Sequence, residues 1–155
     1  MTKLQRLEYM LITIWTGIMI AIGYIAAPVL FKVLSDDRKL AGALAGEMFY
    51  LVTIVGLICG GVLLMLRYSD QSVAMFRQWR GMLLILMLGL VATSMFVLQP
   101  MIAETKALGL VEGSDAAKKF GMLHGVSALL YLVTVLSGVL LSFFGLRQPK
   151  KSEFI

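Results

Sequence analysis

Three observations predict an all-α integral membrane protein, a four-helix antiparallel bundle. Of the 155 residues, 59% are apolar and only 15% charged, against roughly 45–50% and about 25% in soluble domains. The excess falls in four blocks, each long enough to cross a bilayer. The first connection, SDDRK, is short, so the first two helices should be an antiparallel hairpin. A single domain over 1–155 follows, with spans at about 9–31, 42–66, 81–99 and 123–145 and a disordered tail at 147–155. A net charge of +5 would suggest nucleic acid in a soluble protein. Here the basic residues flank the spans, so they read as topology determinants and headgroup contacts. The expected partner is the lipid bilayer, not nucleic acid.

The first span follows a short basic lead, MTKLQRLEYM. A secretory signal has an apolar core of about 7–15 residues. This block runs from Leu7 to Phe31 without a small-x-small cleavage site, so it is expected to remain as helix one. Thr13, Gly17, Ala21, Tyr24 and Pro28 share one face, offered to the second helix, and Pro28 should loosen the last turn. In the turn SDDRK, Ser35 can cap helix two while Asp36 and Asp37 complement its dipole.

Helix two, LAGALAGEMFYLVTIVGLICGGVLLML, starts at Leu40 and carries Gly42, Gly46, Phe49, Thr53, Gly56 and Gly60 on one face. Gly42–Gly46 and Gly56–Gly60 have the GxxxG spacing that lets a second helix come close in lipid, where hydrophobicity cannot drive association. Glu47 lies a quarter turn away. Cys59, the sole cysteine, sits inside this span and has no intrachain disulfide partner.

Phe76 and Trp79, with Arg77 and Arg80 beside them, form an interfacial girdle before helix three, which is expected to stop at Gln99-Pro100. In the long polar segment from Met101 to Lys119, Met101, Ile102, Thr105 and Leu108 read as a short amphipathic turn on the surface, and Ser114-Asp115 starts helix four. On that helix His124, Ala128, Tyr131, Val135, Gly138 and Ser142 form an inward seam. Eight Lys and Arg fall on the side of the termini and second loop, against six on the other side. That bias places both termini on the cytoplasmic side of the membrane.

Counting about 20 residues from each cytoplasmic boundary brings Pro28, Glu47, Gln99, Pro100 and His124 to one depth, the outer mouth of the bundle. An ionisable group in a span is costly and therefore a functional candidate. Glu47 and His124, with Gln99 and Tyr131, are the ligand or proton-transfer candidates; the bland alternative is an interfacial tie between helices two and four. Met48, Met101 and Met122 lie near His124 and could offer soft donors to Cu(I). They lack the tight spacing of copper-trafficking segments, and methionine is ordinary filler in apolar helices. No nucleophile–base pair, phosphate loop or dinucleotide fingerprint is present, so neither an enzyme nor a cofactor is expected.

The segments APVLFKVL, AGALAGEMFYLV, QP and FGMLHGVSALLYL resemble the bacterial domain-of-unknown-function family 4149, itself similar to the eukaryotic transmembrane protein 205. The matching positions are Pro28, Phe31, Gly42, Gly46, Phe49, Pro100, His124, Gly125 and Ser127, over a resemblance from about Leu7 to Gly145. It implies a small four-helix membrane protein of unestablished role. The eukaryotic relative's association with platinum-drug resistance suggests transport or trafficking. Two readings follow. The first is a non-enzymatic protein that binds a partner or small ligand at the outer mouth, with its Gly17, Gly42, Gly46, Gly56, Gly60 and Gly138 contacts serving its own packing, a homo-oligomer or another membrane protein. The second is a small transporter or metal-handling protein using His124, Glu47 and the nearby methionines.

Overall fold

The computed structural model describes residues 3–71, 78–111 and 113–146, the side chains of 69–71 excepted. Phe76 and Arg77 of the second loop and the tail 147–155 lie outside the described residues. Among the described residues four helices make the fold: α1 (Lys3–Val33), α2 (Arg38–Gln71), α3 (Trp79–Ala107) and α4 (Asp115–Phe144). All four are long and apolar enough to cross a membrane, and no strand occurs among the described residues. At 31 residues α1 is about 46 Å long, well beyond a hydrocarbon core of about 30 Å, so its ends reach past the acyl region.

Local chemistry explains most of the boundaries. Asp37, not Ser35, caps α2: its Oδ1 accepts from the backbone N–H of Leu40 at 2.9 Å. The Ser35 hydroxyl turns to Asp36 instead, at 3.4 Å. Ser114 caps α4 by accepting from the N–H of Ala117 at 3.1 Å. At its far end Gly145 takes φ 69° directly beneath the Tyr9 ring, a conformation and a clearance that a side chain would lose.

Helix three does not stop at Pro100. It widens into π-helical turns over Ser94–Leu98, where the N–H of Gln99 bonds to the Ser94 carbonyl five residues back, and then continues as α-helix to Ala107. Helix one does the same: Ala21–Ala26 is π-helical, and the N–H of Ala27 bonds to the Ile22 carbonyl. In each case the wide bond falls one residue before a proline. Proline has no N–H to donate and crowds the carbonyl four residues back, and widening the turn is how these two helices pass it without ending.

The helices form a ring, α1–α2–α3–α4–α1, with no backbone approach across either diagonal among the described residues. Large side chains fill its middle: Ile12, Trp15 and Met19 from α1 meet Val52 and Leu63 of α2, Leu84 and Met87 of α3, and Leu141 of α4. The buried face of α1 therefore runs through Glu8, Ile12, Trp15, Thr16 and Met19, while Thr13, Gly17 and Ala21 are exposed. That corrects the small-residue face expected for this helix; bulky side chains hold the helices apart, so the face they fill is the one that is buried.

At one end the ring is closed. Glu8, Arg67 and Arg80 are buried there, and an Arg67 guanidinium N–H donates to Gln78 Oε1 at 3.2 Å. Arg67 and Arg80 are thus interior groups rather than headgroup contacts. Trp79 and Phe144 meet edge to face at 5.8 Å and close the seam between α3 and α4. Beyond the π-helical turns the other end opens. The backbone of the last turns of α1, Ala27–Val33, comes close to α2 but not to α4, and that of Gln99–Ala107 of α3 to α4 but not to α2. Two pairs of helices stand apart where a ring of four had been.

Candidate functional site

The space between those pairs is a cavity of about 400 Å³, within the range of about 300–1,000 Å³ usual for small-ligand pockets. Its floor lies at the level of the π-helical turns. There the Tyr131 hydroxyl donates to the Met19 carbonyl at 2.6 Å, where the α1 ladder is about to change register. Gly23 lies under the same ring, and a Cβ there would overlap it. Phe49 meets Tyr131 edge to face at 5.1 Å, reaching across the α2–α4 diagonal that the backbones do not bridge. Thr53 and Ser94 complete the floor.

Phe31, Pro28 and Phe120 form the upper walls, with Gly42, Ala45 and Gly46 leaving room on the α2 side. His124 stacks on Phe120 at 5.9 Å and 15°, and the Lys106 ammonium, from α3, lies 5.8 Å from the same ring. Lys106 reaches across from α3 far enough that its Nζ is 4.0 Å from where a Cβ on Gly46 would stand. A Cβ on Gly46 would meet that lysine head only at ordinary contact distance, and among the described residues no helix backbone packs on this glycine. Gln99, Ser127 and Ala128 fill the remaining wall. No carboxylate lines the cavity among the described residues.

Of the four ligand or proton candidates, Gln99, His124 and Tyr131 line this cavity and Glu47 does not. The α2 residues facing it are Gly42, Ala45, Gly46, Phe49 and Thr53, at helical spacing. Glu47 follows Gly46 by one residue and so points about 100° away, and it is exposed. No hydrogen bond or ion pair joins Glu47 to His124 among the described residues. Met48, Met101 and Met122 are likewise absent from the wall, and Met122 is 64% exposed on the outer side of α4. Among the described residues no group of three or more His, Cys, Asp or Glu could hold a metal ion.

The glycines divide into two kinds. Gly56 faces the Trp15 indole, Gly60 the Leu88 and Trp15 side chains, and Gly138 the Thr16 side chain. Each is a slot for a side chain of a neighbouring helix. Gly17 and Gly42 have nothing within 4 Å, so they are not close-packing points; Gly42 borders the cavity and Gly17 faces outward. Gly125 and Pro100 are exposed, and Pro100 acts through the shape of its helix.

Lys106 is the cavity residue that sequence reasoning passed over. Ending helix three at Pro100 placed it in a surface turn. Once the helix continues, Gln99, Ile102 and Lys106 stand three and four apart on one face, and all three line the cavity.

These features define a class: a small integral membrane protein whose four helices close at one end and part around a cavity at the other. Within that class the chain belongs to the DUF4149 family, a domain of unknown function whose model matches residues 10–110. The match takes in most of α1, all of α2 and α3, and with them Pro28, Phe31, Gly42, Gly46, Phe49 and Pro100. It ends before α4, so His124, Gly125 and Ser127 lie outside it, short of the whole-chain resemblance expected. No characterised protein and no solved structure matches the chain.

Proposed function

We propose that this is a non-enzymatic protein of the bacterial inner membrane, with both termini cytoplasmic, which binds a small ligand in the cavity at its outer mouth. The observation that carries the reading is the cavity itself: aromatic walls, a few convergent polar groups and a floor pinned by the Tyr131 hydroxyl. Every lining residue on α1, α2 and α3, with Pro28, Phe31, Gly42, Gly46 and Phe49 among them, sits within the stretch that the family model matches. The excess of Lys and Arg on the side of the termini supports the orientation. Metal handling by His124, Glu47 and methionine is the weaker reading, because those side chains do not surround a common point.

The test is mass spectrometry of the intact protein, released gently from a mild nonionic detergent. Wild type is expected to carry a small-molecule adduct. Gly46→Phe, which fills the mouth where the glycine leaves room, is expected to lose it while remaining folded. Identical spectra, with or without that bulk, would sink the reading.

A further inference from the structure

The seams on either side of the cavity and the charge at its head together specify what kind of molecule it takes. Beyond the π-helical turns the backbones of α1 and α4, and of α2 and α3, no longer come close, so the cavity is bordered by two seams that side chains alone close, Lys106 reaching across one of them. In a membrane such seams face acyl chains as well as water. Lys106 and His124 lie toward its head beside Phe120, while Phe49, Tyr131 and Gly23 lie toward its floor. Phe120 at the head and Tyr131 at the floor are eleven residues apart on α4, about 16 Å along a helix.

Lys106 is the one fully charged side chain among the described lining residues, and it makes no ion pair among the described residues. The side chain is exposed, and its ammonium lies 5.8 Å from the Phe120 ring centroid and close to Gly46, at the head of an aromatic slot. A cation without a counter-ion at the edge of a low-dielectric space favours an anion there. His124 adds hydrogen-bonding capacity beside the same ring, and Gln99 offers more about two turns deeper on α3.

We propose, resting on the ligand-binding reading above, that the ligand is an anionic amphiphile. It enters sideways from the bilayer, sets its phosphate or carboxylate on Lys106, and lays its apolar body along Phe49 and Tyr131. The volume of about 400 Å³ suits a single-chain or single-ring molecule, at the lower end of the usual pocket range.

Thermal stability of the full-length protein in a nonionic detergent, titrated with four probes, tests this. Decyl phosphate carries the head and the tail. Decanol keeps the tail alone, inorganic phosphate the charge alone, and decyltrimethylammonium reverses the charge. Decyl phosphate is expected to raise the melting temperature of wild type at concentrations at least tenfold below decanol, with no shift from the other two. Lys106→Gln should remove that tenfold advantage and Lys106→Arg should restore most of it. Lys118→Gln, a change at an exposed lysine whose partner is Asp115, should leave it unchanged.

Equal responses to decyl phosphate and decanol, or an unaltered advantage in Lys106→Gln, would overturn the anionic head while leaving a ligand-binding cavity. A response to inorganic phosphate matching that to decyl phosphate would overturn the amphiphile in favour of a free anion. A response to decyltrimethylammonium as strong as that to decyl phosphate would overturn the charge assignment. Should no probe bind and Gly46→Phe behave as wild type, the underlying cavity reading would fall as well.

Discussion

Tyr131 shows how a single side chain sets the site. Its hydroxyl ties α4 to the Met19 carbonyl of α1, its ring covers Gly23, and Phe49 packs on its edge. Interhelical hydrogen bonds in membrane proteins contribute about 0.6 kcal/mol on average. Tyr131→Phe should therefore lower the melting temperature only slightly. Gly23→Ala should cost more, since its new methyl displaces the ring and with it both contacts. Thermal unfolding in detergent ranks the two; a reversed order would mean that the ring is free to move. Tyr131 could be placed on an inward seam from its spacing alone. That it bonds to a backbone carbonyl could not, because the acceptor depends on how α1 changes register near Ala21. Glu47 misled for a related reason. Depth along a helix follows from counting residues, but one step of sequence turns a side chain by about 100°, away from the wall its neighbour Gly46 lines.

At the scale of the helix, two devices separate the closed end of the bundle from the open one. Slots at Gly56, Gly60 and Gly138 admit Trp15, Leu88 and Thr16, so a large residue in a slot must push a neighbour out. Gly60→Leu is expected to abolish folded yield, since overpacking costs about 1–3 kcal/mol or more. Gly42→Leu, at a glycine with open space around it, should give normal yield. Chromatographic monodispersity of the two variants checks the contrast, and equal yields would contradict it. The second device is the wide turn before each proline. Pro28→Ala or Pro100→Ala restores a backbone donor. Either change is expected to raise thermal stability while weakening ligand retention, as the helix ends draw back toward a ring. Stability and retention rising together would show that the prolines do not shape the cavity. Composition and block length made the four helices legible in the sequence. The continuation past Pro100 was not, because a proline after a long apolar run reads as a stop, and with the stop went Lys106. A three-and-four spacing from Gln99 through Ile102 to Lys106 was the signal that could have kept it.

For the molecule as a whole, the surface toward lipid is apolar on every helix, with Ile25, Met65, Phe96 and Phe143 all more than 60% exposed. Exposure of this kind is what a bilayer requires and would be a liability in water. Both termini should lie in the cytoplasm. A green fluorescent protein fused after Ile155 should fluoresce, whereas a dark fusion with an active periplasmic reporter at the same site would reverse the orientation. The central claim is that the helices part around a space made for one ligand. A crystal structure grown from a lipid mesophase containing decyl phosphate tests it most directly. The account predicts elongated density with its phosphate beside Lys106 and its tail along Phe49 to Tyr131; a collapsed site, with α1 packed on α4 up to Phe31, would contradict it.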